Sequence, residues 1–127
     1  LGRPAIKLLV RQPNASSDLM AAAVRELLGA ASGARLDVTY STGYGLIELS
    51  APGVTKGTGL ARLARQLGVA PADVLALGDM PNDLSMLRWA GHGVAMANAH
   101  PAVLEAADEI TAGNSEDGLA KVLERWF

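Results

Sequence analysis

Cysteine is absent from this chain, and aromatic side chains are scarce: two Trp, two Tyr and one Phe among 127 residues. Without thiols there are no disulfides and no thiolate metal sites, a pattern compatible with a cytoplasmic protein. With so few rings and so many alanines, packing must come from helices with small contact faces. Basic residues are few and scattered, and the formal net charge is −2. The clustered Lys and Arg of a nucleic-acid surface are therefore missing. No apolar run approaches the roughly 20 residues of a membrane span, and the first residues show no signal-peptide pattern. The expected partners thus exclude nucleic acid and membrane. The length suits one domain with a real core, not comfortably two. The chain opens on Leu1 rather than Met, so its natural start is expected to lie elsewhere.

What is present divides into two patterns. Ala5–Arg11 reads as a strand ended by Pro13 and Asn14. Ser16 or Ser17 can cap a helix running to about Ala31, with Leu19, Ala23, Leu27 and Leu28 at helical spacing and Gly33 beyond its end. Arg35–Ser41 alternates Leu36, Val38 and Tyr40 against Asp37 and Thr39, the mark of a half-buried strand. A turn at Thr42–Gly45 returns it as Leu46–Ser50. The order so far is β-α-β-β with antiparallel character. After Pro52-Gly53 the pattern changes to helix 56–67, strand 74–77, helix 82–90, strand 93–96, helix 101–107, a short strand near Ile110 and helix 116–126. That alternation predicts βαβ units on a parallel sheet. The fold class is therefore α/β: residues 54–127 form a partial Rossmann-like sheet, preceded by a small α+β piece over residues 1–51.

The most informative stretch is Leu77-Gly-Asp-Met-Pro-Asn-Asp-Leu84. The apolar run Val74–Leu77 reads as a buried parallel strand, so Asp79 falls at its carboxyl end, where open α/β sheets build their sites. Pro81 suits the first turn of a helix, which places Asn82 and Asp83 beside Asp79. Such a cluster either caps the helix and complements its dipole or holds a hard divalent cation such as Mg2+. Lys56 is the second informative residue. With Thr55 as N-cap it stands in the first turn of its helix, where a cation opposes the macrodipole and costs up to about 1 kcal/mol unless an anion offsets it. It is either a solvated surface lysine or a point charge for phosphate or carboxylate oxygens. Gly57 and Gly59 would allow a ligand or a neighbouring loop to approach closely.

Together these elements resemble a known family. Val54-Thr-Lys-Gly57, Gly78-Asp-Met-Pro-Asn-Asp83 with Met86-Leu87, and Gly93-Val-Ala-Met-Ala-Asn-Ala99 are similar to the C-terminal half of the haloacid dehalogenase (HAD) superfamily. The nearer likeness is to its Cof-type phosphatases with a C2B cap, and Ala107–Thr111, Asn114 and Asp117-Gly118 resemble that group's tail. The resemblance implies that residues 1–51 end a cap domain and that 54–127 close a Rossmann-like core. It implies an Mg2+-dependent phosphatase acting on a small phosphorylated metabolite through an aspartyl-phosphate intermediate. In that scheme Lys56 is catalytic and binds the phosphoryl group. Asp79 is the acidic metal ligand. Asp83 is the second acid, holding a metal-bound water or orienting the lysine. Asn82 is a metal or substrate contact, and Asn98 faces the substrate. Thr111 and Asn114 are expected to shape the edge of the core rather than take part in chemistry.

One departure is large. The family's nucleophile and general acid form an Asp-x-Asp pair, and the aspartates here, at 18, 37, 73, 79, 83, 108 and 117, form none. Ser41 and Thr42 lie in the cap-like hairpin, not after an opening core strand. The 127 residues are thus expected to be a fragment of a longer enzyme and inactive alone. The competing readings are a phosphate- or metal-binding module without the nucleophile, and a fragment that oligomerises through an exposed sheet edge or associates with the missing N-terminal segment. His92 and His100 flank a strand at Gly- and Pro-rich turns with no second ligand at useful spacing and read as exposed turn residues, Met86 and Trp89 as core, and Arg62 and Arg65 as the solvated face of a helix. Arg11, Tyr44 and Glu48, in the cap-like region, read as surface or strand-pair residues ahead of contacts to a leaving group.

Overall fold

A computed structural model describes residues 5–31 and 35–126; the helix stop expected at Gly33 lies outside them. The chain divides into two compact units, Leu1–Val54 and Thr55–Phe127.

The first unit is a three-stranded antiparallel sheet with one helix. Strands β1 (Lys7–Ser16), β2 (Asp37–Thr39) and β3 (Tyr44–Ser50) lie in the order β1-β3-β2, and α1 (Ser17–Ala30) follows β1. The β-α-β-β order matches the sequence reading, but β1 does not stop at Pro13. Its pairing with β3 runs from Lys7↔Ser50 to Arg11↔Leu46, shifts, and resumes at Ser16↔Tyr44. Gln12–Ala15 bulge out opposite Gly45, whose φ is +61° and whose added Cβ would lie 1.9 Å from the Gln12 carbonyl oxygen. Only glycine fits there. Pro13 is tolerated because β1 is an edge strand and the bulge leaves its missing N–H unneeded. The buried face of α1 is also not the expected one. Leu19 and Leu27 are exposed, whereas Ser17 and Ala21 are fully buried. Ala21, Val38, Tyr40 and Ile47 make the small core, and the Ser17 hydroxyl accepts from the Leu46 N–H.

The second unit is a parallel sheet, β4 (Leu75–Gly78), β5 (His92–Met96) and β6 (Glu109–Thr111), in that order. Helices α2 (Lys56–Leu67), α3 (Leu84–Trp89), α4 (Pro101–Ala106) and α5 (Gly118–Leu123) alternate with the strands. The expected helices 82–90 and 116–126 are shorter, because each is preceded by a separate 3-10 turn, Pro81–Asp83 and Asn114–Glu116. The core is Ala76, Leu87, Ala95, Met96, Ala99 and Val103, with Leu84 and Met86 packed against it. Three of those six are alanines, which lets the helices sit close to the sheet and leaves no large aromatic at the centre. Trp89, expected in that core, is only partly buried. No helix among the described residues is long and apolar enough to cross a membrane.

Candidate active-site edge

The candidate site lies in the second unit, on the loops that leave the carboxyl ends of β4, β5 and β6. Helix α2 starts as the sequence predicts. The Thr55 hydroxyl accepts from the Thr58 N–H, and the Thr58 hydroxyl in turn accepts from the Thr55 N–H, a capping box that fixes Lys56 at the first helical position. The Lys56 ammonium forms an ion pair with Asp83 Oδ1 across 27 residues. Asp83 is therefore the anion that offsets a cation at this helix start. It is the more deeply placed partner, with 6% of its side chain exposed against 49% for the lysine.

Asp83 is held from both sides. Its Oδ2 accepts from the backbone N–H groups of Asp79 and Met80, each at 3.1 Å. Both carboxylate oxygens thus have protein partners, which is what lets a charged group be buried. The fit is tight beneath it: a Cβ on Gly78 would stand 2.5 Å from Asp83 Cβ, so the strand must end in glycine for the acid to fold back over it. Gly57 has a similar reason. Its N–H donates to Ser85 Oγ at 3.0 Å, and a Cβ would sit 2.4 Å from the Ser85 carbonyl oxygen. The close approach it allows is to the start of α3. Gly59 faces open space.

Asp79 follows directly. Its Oδ2 accepts from Asn114 Nδ2 at 2.8 Å, and its backbone carbonyl accepts from the His100 N–H at 2.8 Å. Asn98, on the loop after β5, accepts through Oδ1 from the Asn114 N–H at 2.7 Å. Lys56, Asp83, Asp79, Asn98 and Asn114 are thereby linked through hydrogen bonds or adjacent residues. Asn114 was expected only to shape the edge; it bonds Asp79 directly, and the 35-residue separation hides that in the sequence. Thr111 instead donates to the Gly118 carbonyl at 3.0 Å, a purely local tie. His100 caps α4 by accepting from the Ala102 N–H at 3.2 Å. His92, at the other end of β5, bonds Glu109 at 2.9 Å, and Glu109 also pairs with Arg125 at 2.6 Å. The His92 and Arg125 bonds hold the Glu109 carboxyl below its ordinary value.

The oxygen donors present suit a hard cation in kind but not in number. Asn82 Oδ1 is buried with no hydrogen-bond partner, an arrangement that costs free energy unless something fills it. Among the described residues no group of three or more His, Cys, Asp or Glu gathers to hold a metal ion. Mg2+ binds through one or two protein carboxylates and completes its shell with water and phosphate oxygens, so Asp79 and Asn82 fit part of such a shell.

The family model for haloacid dehalogenase-like hydrolases matches residues 1–123. The chain belongs to that family. Within it the likeness is to the Cof-type, subclass IIB branch. Over 91 residues the chain is 44% identical to 5-amino-6-(5-phospho-D-ribitylamino)uracil phosphatase YcsE of Bacillus subtilis, covering 72% of this chain and 36% of that protein. It is 42% identical over 86 residues to a phosphoglycolate phosphatase of Methanoculleus marisnigri, covering 68% of this chain and 36% of the relative. Among solved structures, a HAD-like hydrolase from B. subtilis superposes with a TM-score of 0.80 at 32% identity, over 100% of this chain and 43% of that one. A subclass IIB sugar phosphatase superposes with a TM-score of 0.78 at 28% identity, over 98% and 44%. The HAD chain thus spans less than half the length of each of these relatives.

Proposed function

We propose that these residues form part of the active site of an Mg2+-dependent phosphatase that hydrolyses a small phosphorylated metabolite through an aspartyl-phosphate intermediate. The observation that carries the reading is the Lys56–Asp83 pair, set beside Asp79 at the carboxyl end of β4. A lysine held by a buried carboxylate keeps its aim while its other N–H groups stay available. Those donors can bind the transferring phosphoryl oxygens, where fixed positive charge lowers the barrier most. Asp83 serves as the positioning acid for Lys56. Asp79 and Asn82 are the groups that would hold Mg2+, which when bound supplies charge neutralisation for the phosphoryl group. Asn98 lines the substrate side. The nucleophile comes from outside these 127 residues, which have no Asp-x-Asp, and residues 1–51 act as part of the cap that selects the leaving group. The relatives' names, a ribitylaminouracil phosphate and phosphoglycolate among them, support a small phosphomonoester as the substrate class.

The test uses the protein as its gene encodes it, assayed against p-nitrophenyl phosphate and a panel of small phosphomonoesters with Mg2+ or with EDTA. Phosphate release is expected only with Mg2+, and Lys56→Ala should lower kcat by about 10²–10³. Turnover that survives EDTA, or that Lys56→Ala leaves intact, overturns the reading.

A further inference from the structure

The loops after β4, β5 and β6 are stitched to one another by polar contacts, and Asp79 is the point on which they converge. Its side chain is held by Asn114 and its backbone carbonyl by the His100 N–H. Asn114 is itself anchored: its N–H donates to Asn98 Oδ1, and the 3-10 turn it opens is closed by the Gly113 N–H bonding Glu116 Oε2 at 3.0 Å. The chemistry of the contact with Asp79 is specific. A carboxylate only accepts, so the Asn114 amide must present its NH2. That donor is neutral. It fixes the rotation of the carboxylate through Oδ2 and leaves the full negative charge for another partner, whereas a Lys or Arg in its place would pair that charge. Among the described residues Oδ1 receives no hydrogen bond.

Resting on the Mg2+ assignment above, we infer that Asn114, supported by Asn98, is a positioning residue that orients Asp79 for the cation. Outer groups that orient metal ligands in this way typically contribute 10–100-fold in metal affinity. The reading makes Asn114, 35 residues beyond Asp79, a determinant of metal affinity that acts through the carboxylate it bonds.

The experiment is a Mn2+ titration of the gene-encoded protein, read by EPR of the free ion, for the wild type and for Asp79→Ala, Asn114→Ala, Asn98→Ala and Ser115→Ala. Each protein is also melted in EDTA. Asp79→Ala should abolish the site. Asn114→Ala should weaken Mn2+ by 10–100-fold, Asn98→Ala by less, and Ser115→Ala not at all, with melting in EDTA little changed for all four. In turnover, Asn114→Ala should raise the Mg2+ concentration for half-activation while saturating Mg2+ restores kcat, a split that loss of folded protein would not produce. If Asp79→Ala loses Mn2+ and Asn114→Ala binds it as tightly as the wild type, this inference fails alone. If the wild type binds no Mn2+, or Asp79→Ala binds it unchanged, the metal assignment fails and takes the inference with it.

Discussion

The two units use similar apolar residue types to different ends. Leu1–Val54 leaves many of its large apolar side chains exposed: Ile6, Leu9, Leu19, Leu27 and Tyr44 are all more than half exposed. Its polar side chains mostly serve structure, as when Ser17 ties α1 to β3 or Tyr40 donates to Asp18. In Thr55–Phe127 small residues and short helices pack on the parallel sheet, and Asp79, Asp83, Asn98 and Asn114 gather at one edge, on consecutive loops. The difference follows from topology. A parallel sheet aligns the carboxyl ends of its strands, so every crossover begins at the same edge and short polar residues there meet without long side chains. An antiparallel hairpin scatters its loops to both ends and gathers nothing.

That contrast can be broken in graded steps. The largest expected effect is on chemistry. Asp83→Ala removes the acid that holds Lys56 and should cut kcat by about 10²–10³, measured beside Lys56→Ala in a double-mutant cycle; additive losses would dissolve the pair as a unit. Next comes packing. Leu87 and Ile47 are the buried anchors of their units, at 2% and 0% exposure, and truncation of either to Ala should cost about 2–5 kcal/mol by urea titration. Gly78→Ala should destabilise by about 1–3 kcal/mol, because the new methyl meets Asp83 Cβ; an unchanged midpoint would mean that the acid does not fold over the strand. A smaller effect depends on pH. Burial, then the bond to Asp18, pushes the Tyr40 hydroxyl up to about 12. A raised folded value stabilises fully below the unfolded value near 10 and is lost as pH rises through 12. Stability should therefore fall between pH 10 and 12, and Tyr40→Phe should flatten that limb. Smallest of all, Leu19→Ser on the exposed face of α1 should change stability by less than about 0.5 kcal/mol.

The sequence made the second unit far more legible than the first. Alternating helices and short apolar runs gave its parallel sheet, and the positions of Thr55, Lys56, Asp79 and Asp83 were readable because chemistry and turn geometry both constrain them within a few positions. What could not be read were pairings across the chain. Asp79 and Asn114 meet only because β4 and β6 end at one edge, and no local pattern marks Asn114 as a partner. In the first unit two local rules misled. Pro13 looked like a strand end, yet an edge strand with a bulge opposite Gly45 accommodates it. Leu19 and Leu27 of α1, at helical spacing, lie exposed, whereas Ser17 and Ala21 are its fully buried residues.

The stitching of the three loops also sets an order of events on the ribosome. Asp79 is made before the groups that fix it: Asn98, the His100 N–H and Asn114 emerge 19 to 35 residues later. Until β6 has docked and the turn at Asn114 has closed, the carboxylate is free to rotate. An oriented Asp79 is thus a sign that β6 is in place, so the polar edge matures with that strand and the turn after it rather than with the motif that announces it.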